Sequence, residues 1–218
     1  GVIFPSVFRP EDVVLAGNDP YRRLFYVEQL IGDSRGSLSQ AAAESNPLFI
    51  SSAWLVAEAL GGTQHAARVV MAVYPVLAGL CIAGLTYLLA VTLTSDRRVG
   101  YAAVLLLAFS PMIAFRTALG FGDHHAFNYL WLALTAYGLV RLASREYGPG
   151  ASWRDVLHPG TAYLAIGMAG QVTSWRGAPL LFGPLGLYAF VIGASAIESG
   201  RDPVRPLVPV LGGTAIAG

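Results

Sequence analysis

The chain has 218 residues, 55% of them hydrophobic and 12% charged, with a net charge of +1 and a mean hydropathy of +0.56. A soluble globular domain carries roughly 25% charged residues, so this composition indicates an all-α polytopic membrane protein in contact with membrane lipids. The near-neutral charge and the absence of nucleic-acid-binding signatures exclude RNA and DNA as partners, and the single cysteine, Cys81, can neither close an intrachain disulfide nor share a metal with a second thiol.

Residues 1–68 form the only long stretch without a clear membrane span and are read as a first external segment, the preceding helix being truncated at GVIFPSVF. Within it Asp19-Pro20 starts a helix, because Asp suits an N-cap and Pro the first helical position. Leu24, Val27, Leu30 and Ile31 follow at helical spacing, and Gly32 closes the element. A second helix, 49–60, is apolar on most faces yet too short to span, so it is expected at the membrane interface or packed under the first.

Residues 69–218 are read as the transmembrane part, with five complete spans and a truncated sixth. The run 69–93 holds 25 uncharged residues, against the roughly 20 that a span requires. A second, shorter span at 99–115 contains Pro111, a third at 126–142 carries Tyr and Trp near one end, and 161–174 with 178–197 form a hairpin turning at SWRGAP. The chain begins with Gly, lacks a signal-like start and stops inside the apolar run VPVLGGTAIAG, and is read as a piece of a longer protein. The expected orientation follows from arginine in short loops: Arg97, Arg98, Arg141, Arg145, Arg154, Arg201 and Arg205 share one side, taken as cytoplasmic. The opposite, extracellular side then carries residues 1–68, the loop 117–125 and the SWRGAP turn.

Ionisable groups at a membrane boundary are costly unless paired, metal-bound or functional. Three clusters fall on the expected outer side: Asp19, Asp123 with His125, and Trp175-Arg176. Carboxylate oxygens suit hard divalent cations and imidazole is accepted better by Mn²⁺ than by Mg²⁺, so Asp19, Asp123 and His125 make a candidate metal set, with His124 outside it. Such a metal would neutralise a phosphate or pyrophosphate leaving group, with arginines as further clamps. Each residue alone has a plainer explanation. Asp19 before Pro20 and Asp123 before a span serve equally as helix caps, Arg116 as the end of a span, Trp175 as a belt residue, and Tyr21 and Cys81 as packing.

Taken in order, the motifs resemble a family. GNDPYRRL is similar to the G-x-D-P-Y-x-x-R segment in the first external loop of oligosaccharyltransferase catalytic subunits. RTALGFGDHHAFN resembles their second external motif in its archaeal D-H-H form, with Arg116 seven residues before Asp123 as in that family. SWRG resembles the W-G-G-like turn between the fifth and sixth spans, with Arg176 in place of the usual small residue. The resemblance implies an incomplete C-type glycosyltransferase transmembrane domain. Its expected reaction moves a glycan from a dolichyl phosphate or pyrophosphate onto the Asn side-chain amide of an N-x-S/T sequon in an acceptor protein. It further implies that Asp19, Asp123 and His125 hold Mn²⁺ or Mg²⁺, that Asp19 also engages the acceptor amide, and that Arg116 sits near the acceptor or the active-site acids; Asp19 and Arg116 are expected to be catalytic, and Arg116, Trp175 and Arg176 to bind substrate. The family's Glu-bearing external loop and W-W-D-Y-G motif are not among these residues, so the 218 residues alone are expected to be inactive. The competing readings are another C-type glycosyltransferase with a hydroxyl acceptor, and a metal- or proton-coupled transporter; transporters place such groups on broken helices near the midplane, often in repeated halves.

Overall fold

A computed structural model describes residues 7–10, 12–32, 46–145, 153–175 and 177–217. Among these the chain is α-helical, with a single isolated antiparallel bridge between Phe8 and Val13. The helices in order are α1 (Asn18–Gly32), α2 (Pro47–Ala59), α3 (Gln64–Thr94), α4 (Arg97–Ala108), α5 (Pro111–Arg116), α6 (His124–Ala143), α7 (Pro159–Ser174), α8 (Phe182–Glu198) and α9 (Val204–Ala217). Short 3-10 turns precede α7 and α8 at Trp153–Leu157 and Ala178–Leu181. Two compact units emerge, one of residues 1–82 and 106–129, the other of 83–105 and 130–218.

In the first unit α1 buries the expected stripe, Leu24, Val27 and Leu30, against Phe49, Ile50, Ala53 and Ala57 of α2 and Ala67, Val70 and Met71 of α3. A fully buried Leu, Ile, Val or Phe side chain gains about 1.5–3 kcal/mol over an exposed one, so this contact rather than helix propensity holds α1 in place. The expected packing of the second helix under the first is therefore what forms. Asp19 occupies the first turn of α1, preceded by Gly17 at φ +102°, and α2 runs into Gly61 at φ +110° and Gly62 at φ +62°. Arg68 of α3 ties the leading segment to α1 by pairing with Asp12 at 2.5 Å and Glu28 at 3.2 Å.

Two helices among the described residues are long and apolar enough to cross a membrane by length and composition: α3, and the stretch Ala178–Glu198 that contains α8. The protein buries little of either. Their apolar side chains point outward, as at Leu80, Leu187 and Phe190, which suits a lipid surrounding. Cys81, expected in packing, is exposed on α3. The expected span 99–115 is not one helix. α4 stops at Ala108 and α5 starts at Pro111, because proline has no N–H to continue the ladder and forces Ser110 out of the helical region, to φ −70° and ψ 113°.

The second unit is built on close helix approach. A Cβ on Gly138 of α6 would stand 2.5 Å from the backbone nitrogen of Leu164 on α7, and one on Gly167 of α7 2.6 Å from that of Thr135 on α6. Small residues at such crossings let backbones meet where lipid offers no hydrophobic contrast. Leu142, Leu164, Met168 and Val210 form the core between α6, α7 and α9. The Tyr188 hydroxyl of α8 donates to the Leu139 carbonyl at 2.9 Å. Asp155, buried in the 3-10 turn, pairs with Arg145 at 2.9 Å and Arg205 at 3.5 Å, and so links the end of α6 to the start of α9.

Candidate metal centre

The loop between α5 and α6 lies against α3, and Pro75 explains where. A proline inside a helix removes one ladder bond and clashes with the carbonyl four residues earlier, here that of Met71 on α3. The loop docks beside this point: Gly120 N–H donates to the Ala72 carbonyl at 2.9 Å, while the Gly120 carbonyl accepts from Ala16 N–H at 2.8 Å. Gly120 adopts φ +83°, and a Cβ on Gly122 would meet the Met71 carbonyl oxygen at 2.5 Å. Both glycines are required, the first by its backbone conformation and the second by its approach.

Asp123 follows, its side chain fully buried. Oδ1 accepts from the His124 backbone N–H at 2.7 Å and faces His124 Nδ1 at 2.5 Å. Oδ2 faces His125 Nε2 at 3.3 Å and accepts from an Arg116 terminal nitrogen at 3.4 Å. The two imidazoles stack with centroids 4.3 Å apart, and the Arg116 guanidinium lies 5.2 Å over the Phe121 ring. Burial raises the Asp123 carboxyl, but hydrogen bonds from the His124 ring and backbone, with the positive character of both imidazoles, outweigh it and hold the group below its ordinary 3.8.

One ligand atom from each of Asp123, His124 and His125 lies within 4.8 Å of the others. Carboxylate and imidazole groups form an N/O donor set that suits a borderline divalent ion such as Mn²⁺ or Zn²⁺ better than Ca²⁺, so the residues fit a metal. Of the residues singled out in the sequence, Asp123, His125 and Arg116 come together. Asp19 is exposed on the first turn of α1 and is not among the three residues whose ligand atoms cluster. Trp175 terminates α7 in the second unit, its backbone N–H donating to Gln171 at 3.0 Å. Arg176 lies outside the described residues. The sequence reading missed Tyr74 of α3, whose hydroxyl donates to the Asp123 backbone carbonyl; a tyrosine within an apolar run gave no signal of this.

The helical architecture, with two helices able to cross a membrane by length and composition, and the buried acid–imidazole cluster define a helical membrane protein with a polar site. Residues 48–197 match the family described as oligosaccharyl transferase STT3, N-terminal, and the chain belongs to that family. The fold is similar to the archaeal oligosaccharyltransferase AglB from Archaeoglobus fulgidus solved with an inhibitory peptide and a dolichol-phosphate, at TM-score 0.72 and 19% identity, over 97% of this chain and 26% of that one. It is also similar to an A. fulgidus oligosaccharyltransferase in complex with Zn and sulfate, at TM-score 0.68 and 19% identity, over 98% of this chain and 32% of that one. The apo form of the latter gives TM-score 0.64 at 18% identity, over 97% and 30%. The chain thus spans about a quarter to a third of these proteins. Comparison with curated protein sequences gave no match.

Proposed function

We propose that this chain is the N-terminal membrane part of an enzyme that transfers an oligosaccharide from a dolichyl phosphate or pyrophosphate carrier to the Asn side-chain amide of N-x-S/T sequons. The observation that carries the reading is the buried Asp123 carboxylate, ringed by His124, His125 and Arg116 within the family-matched segment. Family membership supports glycosyl transfer, and the A. fulgidus relative solved with dolichol-phosphate and a peptide supports a lipid-linked donor and a peptide acceptor.

In this reaction the amide nitrogen attacks the anomeric carbon as the bond from that carbon to the phosphate oxygen breaks. The amide loses a proton and the departing phosphate gains negative charge. Asp123 and His125 would hold a divalent ion, Mn²⁺ or Mg²⁺, with Asp19 of α1 as the proposed third ligand. When bound, the metal supplies Lewis-acid neutralisation of the leaving phosphate. His124 takes up Oδ1, while Oδ2 faces His125 Nε2 and Arg116. Arg116 pairs with Oδ2 and presents cationic charge toward the phosphate. Asp19 also accepts a hydrogen bond from the acceptor amide. The protein is a multi-pass membrane protein with five spans and part of a sixth in this chain, and the loop holding Asp123 faces outward.

The test is glycan transfer to a sequon peptide by the full-length enzyme carrying Asp123→Ala or His125→Ala. Transfer should fall about 100-fold or more, in line with loss of a charge-stabilising group, with membrane insertion intact; normal transfer in both variants overturns the assignment. A cysteine placed near Gly122 should react with an impermeant reagent outside intact cells, and labelling only after lysis inverts the orientation.

A further inference from the structure

We propose that Tyr74 is a positioning residue for the metal centre, fixing the Asp123 carboxylate through the peptide it belongs to rather than through the carboxylate itself. This rests on the metal-centre reading above. Three groups on α3 hold the loop, all within one helical turn: the Met71 carbonyl against Gly122, the Ala72 carbonyl accepting from Gly120 N–H, and the Tyr74 hydroxyl donating to the Asp123 carbonyl. The first two set where the loop lies. The third sets the orientation of the peptide joining Asp123 to His124, and that peptide governs how Oδ2 meets His125 Nε2.

The tyrosine ring is itself held. It packs against Phe49 of α2 at 4.7 Å between centroids and against Phe127 of α6 at 6.4 Å, with Phe49 and Phe127 5.5 Å apart. Three elements therefore fix the direction of one hydroxyl, and the hydroxyl fixes a carbonyl at the head of α6. Groups that orient metal ligands from behind commonly change metal affinity 10- to 100-fold when removed. Nothing else on α3 donates a side-chain hydrogen bond to the loop among the described residues.

Tyr74→Phe deletes the hydroxyl and keeps the ring, so packing survives. In the full-length enzyme stripped of metal, Mn²⁺ binding followed by electron paramagnetic resonance should weaken about tenfold or more. Transfer activity in the same variant should recover toward the wild-type plateau as Mn²⁺ is raised, a recovery that general loss of structure would not give. Gly122→Ala, which drives a Cβ into the Met71 carbonyl, should weaken Mn²⁺ in the same direction. Wild-type affinity in Tyr74→Phe, with binding abolished in Asp123→Ala, overturns the role of Tyr74 and leaves the metal centre standing. Absence of Mn²⁺ binding in the wild type overturns the metal centre and this role with it.

Discussion

Arg116 reaches Asp123 Oδ2 at 3.4 Å while its guanidinium rests 5.2 Å over the Phe121 ring, so one arginine holds the acid and the loop that carries it. Arg116→Ala should destabilise the folded enzyme by about 1–2 kcal/mol. Hydrogen bonds to charged groups contribute about 1.5–3 kcal/mol, reduced here because Arg116 is partly exposed and its charge is screened by solvent. Thermal unfolding in detergent reads this change. Arg116→Lys keeps the charge but loses the planar group that stacks on Phe121, and should restore less than half of the loss.

The two histidines should separate in metal titrations. His125→Ala should weaken Mn²⁺ binding about 100-fold, since it removes a ligand, whereas His124→Ala should weaken it about tenfold, the scale of a group that orients a ligand. Equal losses would place His124 in the coordination sphere as well.

Stability should fall in acid through Asp123. Its folded carboxyl sits below the ordinary 3.8, so it contributes stability that is fully present above about pH 4 and is lost as pH falls through the folded value. Unfolding midpoints of the metal-free enzyme measured across that window should drop more steeply for the wild type than for Asp123→Asn, which cannot titrate.

Glycine substitutions should divide by location. Gly138→Ala meets the Leu164 backbone at 2.5 Å, and overpacking of this kind costs about 1–3 kcal/mol. Gly186→Ala in α8 has nothing within 4 Å and should be neutral or gain roughly 0.5–1 kcal/mol from helix propensity. Thermal unfolding of the two variants in one detergent provides the comparison.

Asp155→Ala removes the acid facing Arg145 and Arg205. Breaking a buried pair costs about 3–5 kcal/mol; the lower end applies because Arg145 is partly exposed. Detergent-solubilised protein should show the loss in its unfolding midpoint.

Much of the helical layout is legible from local chemistry. The stripe of Leu24, Val27 and Leu30, the stop at Gly32 and the uncharged run of α3 each follow from spacing, turn residues and length, and the observed helices agree to within a few residues. The break at Pro111 was legible too, since the residue before a proline resists the helical region, yet apolar length alone ran the two pieces together. The Asp123 loop stood out because charge is costly at the end of an apolar run.

Composition and local spacing make the chain helical and apolar and gather the residues with chemistry available in a few polar breaks. Which of them meet depends on how distant segments pack. A loop more than forty residues further on docks beside Pro75 of α3, and Tyr74 turns a hydroxyl toward it. His124 bonds Oδ1 and leaves Oδ2 to His125 and Arg116. Periodicity reports which face of a helix is apolar, but long-range contacts depend on packing between segments distant in the chain, and no local pattern encodes that pairing. For this reason the same Asp123 that reads in sequence as a helix cap becomes, once folded, a buried carboxylate with three cationic or imidazole neighbours.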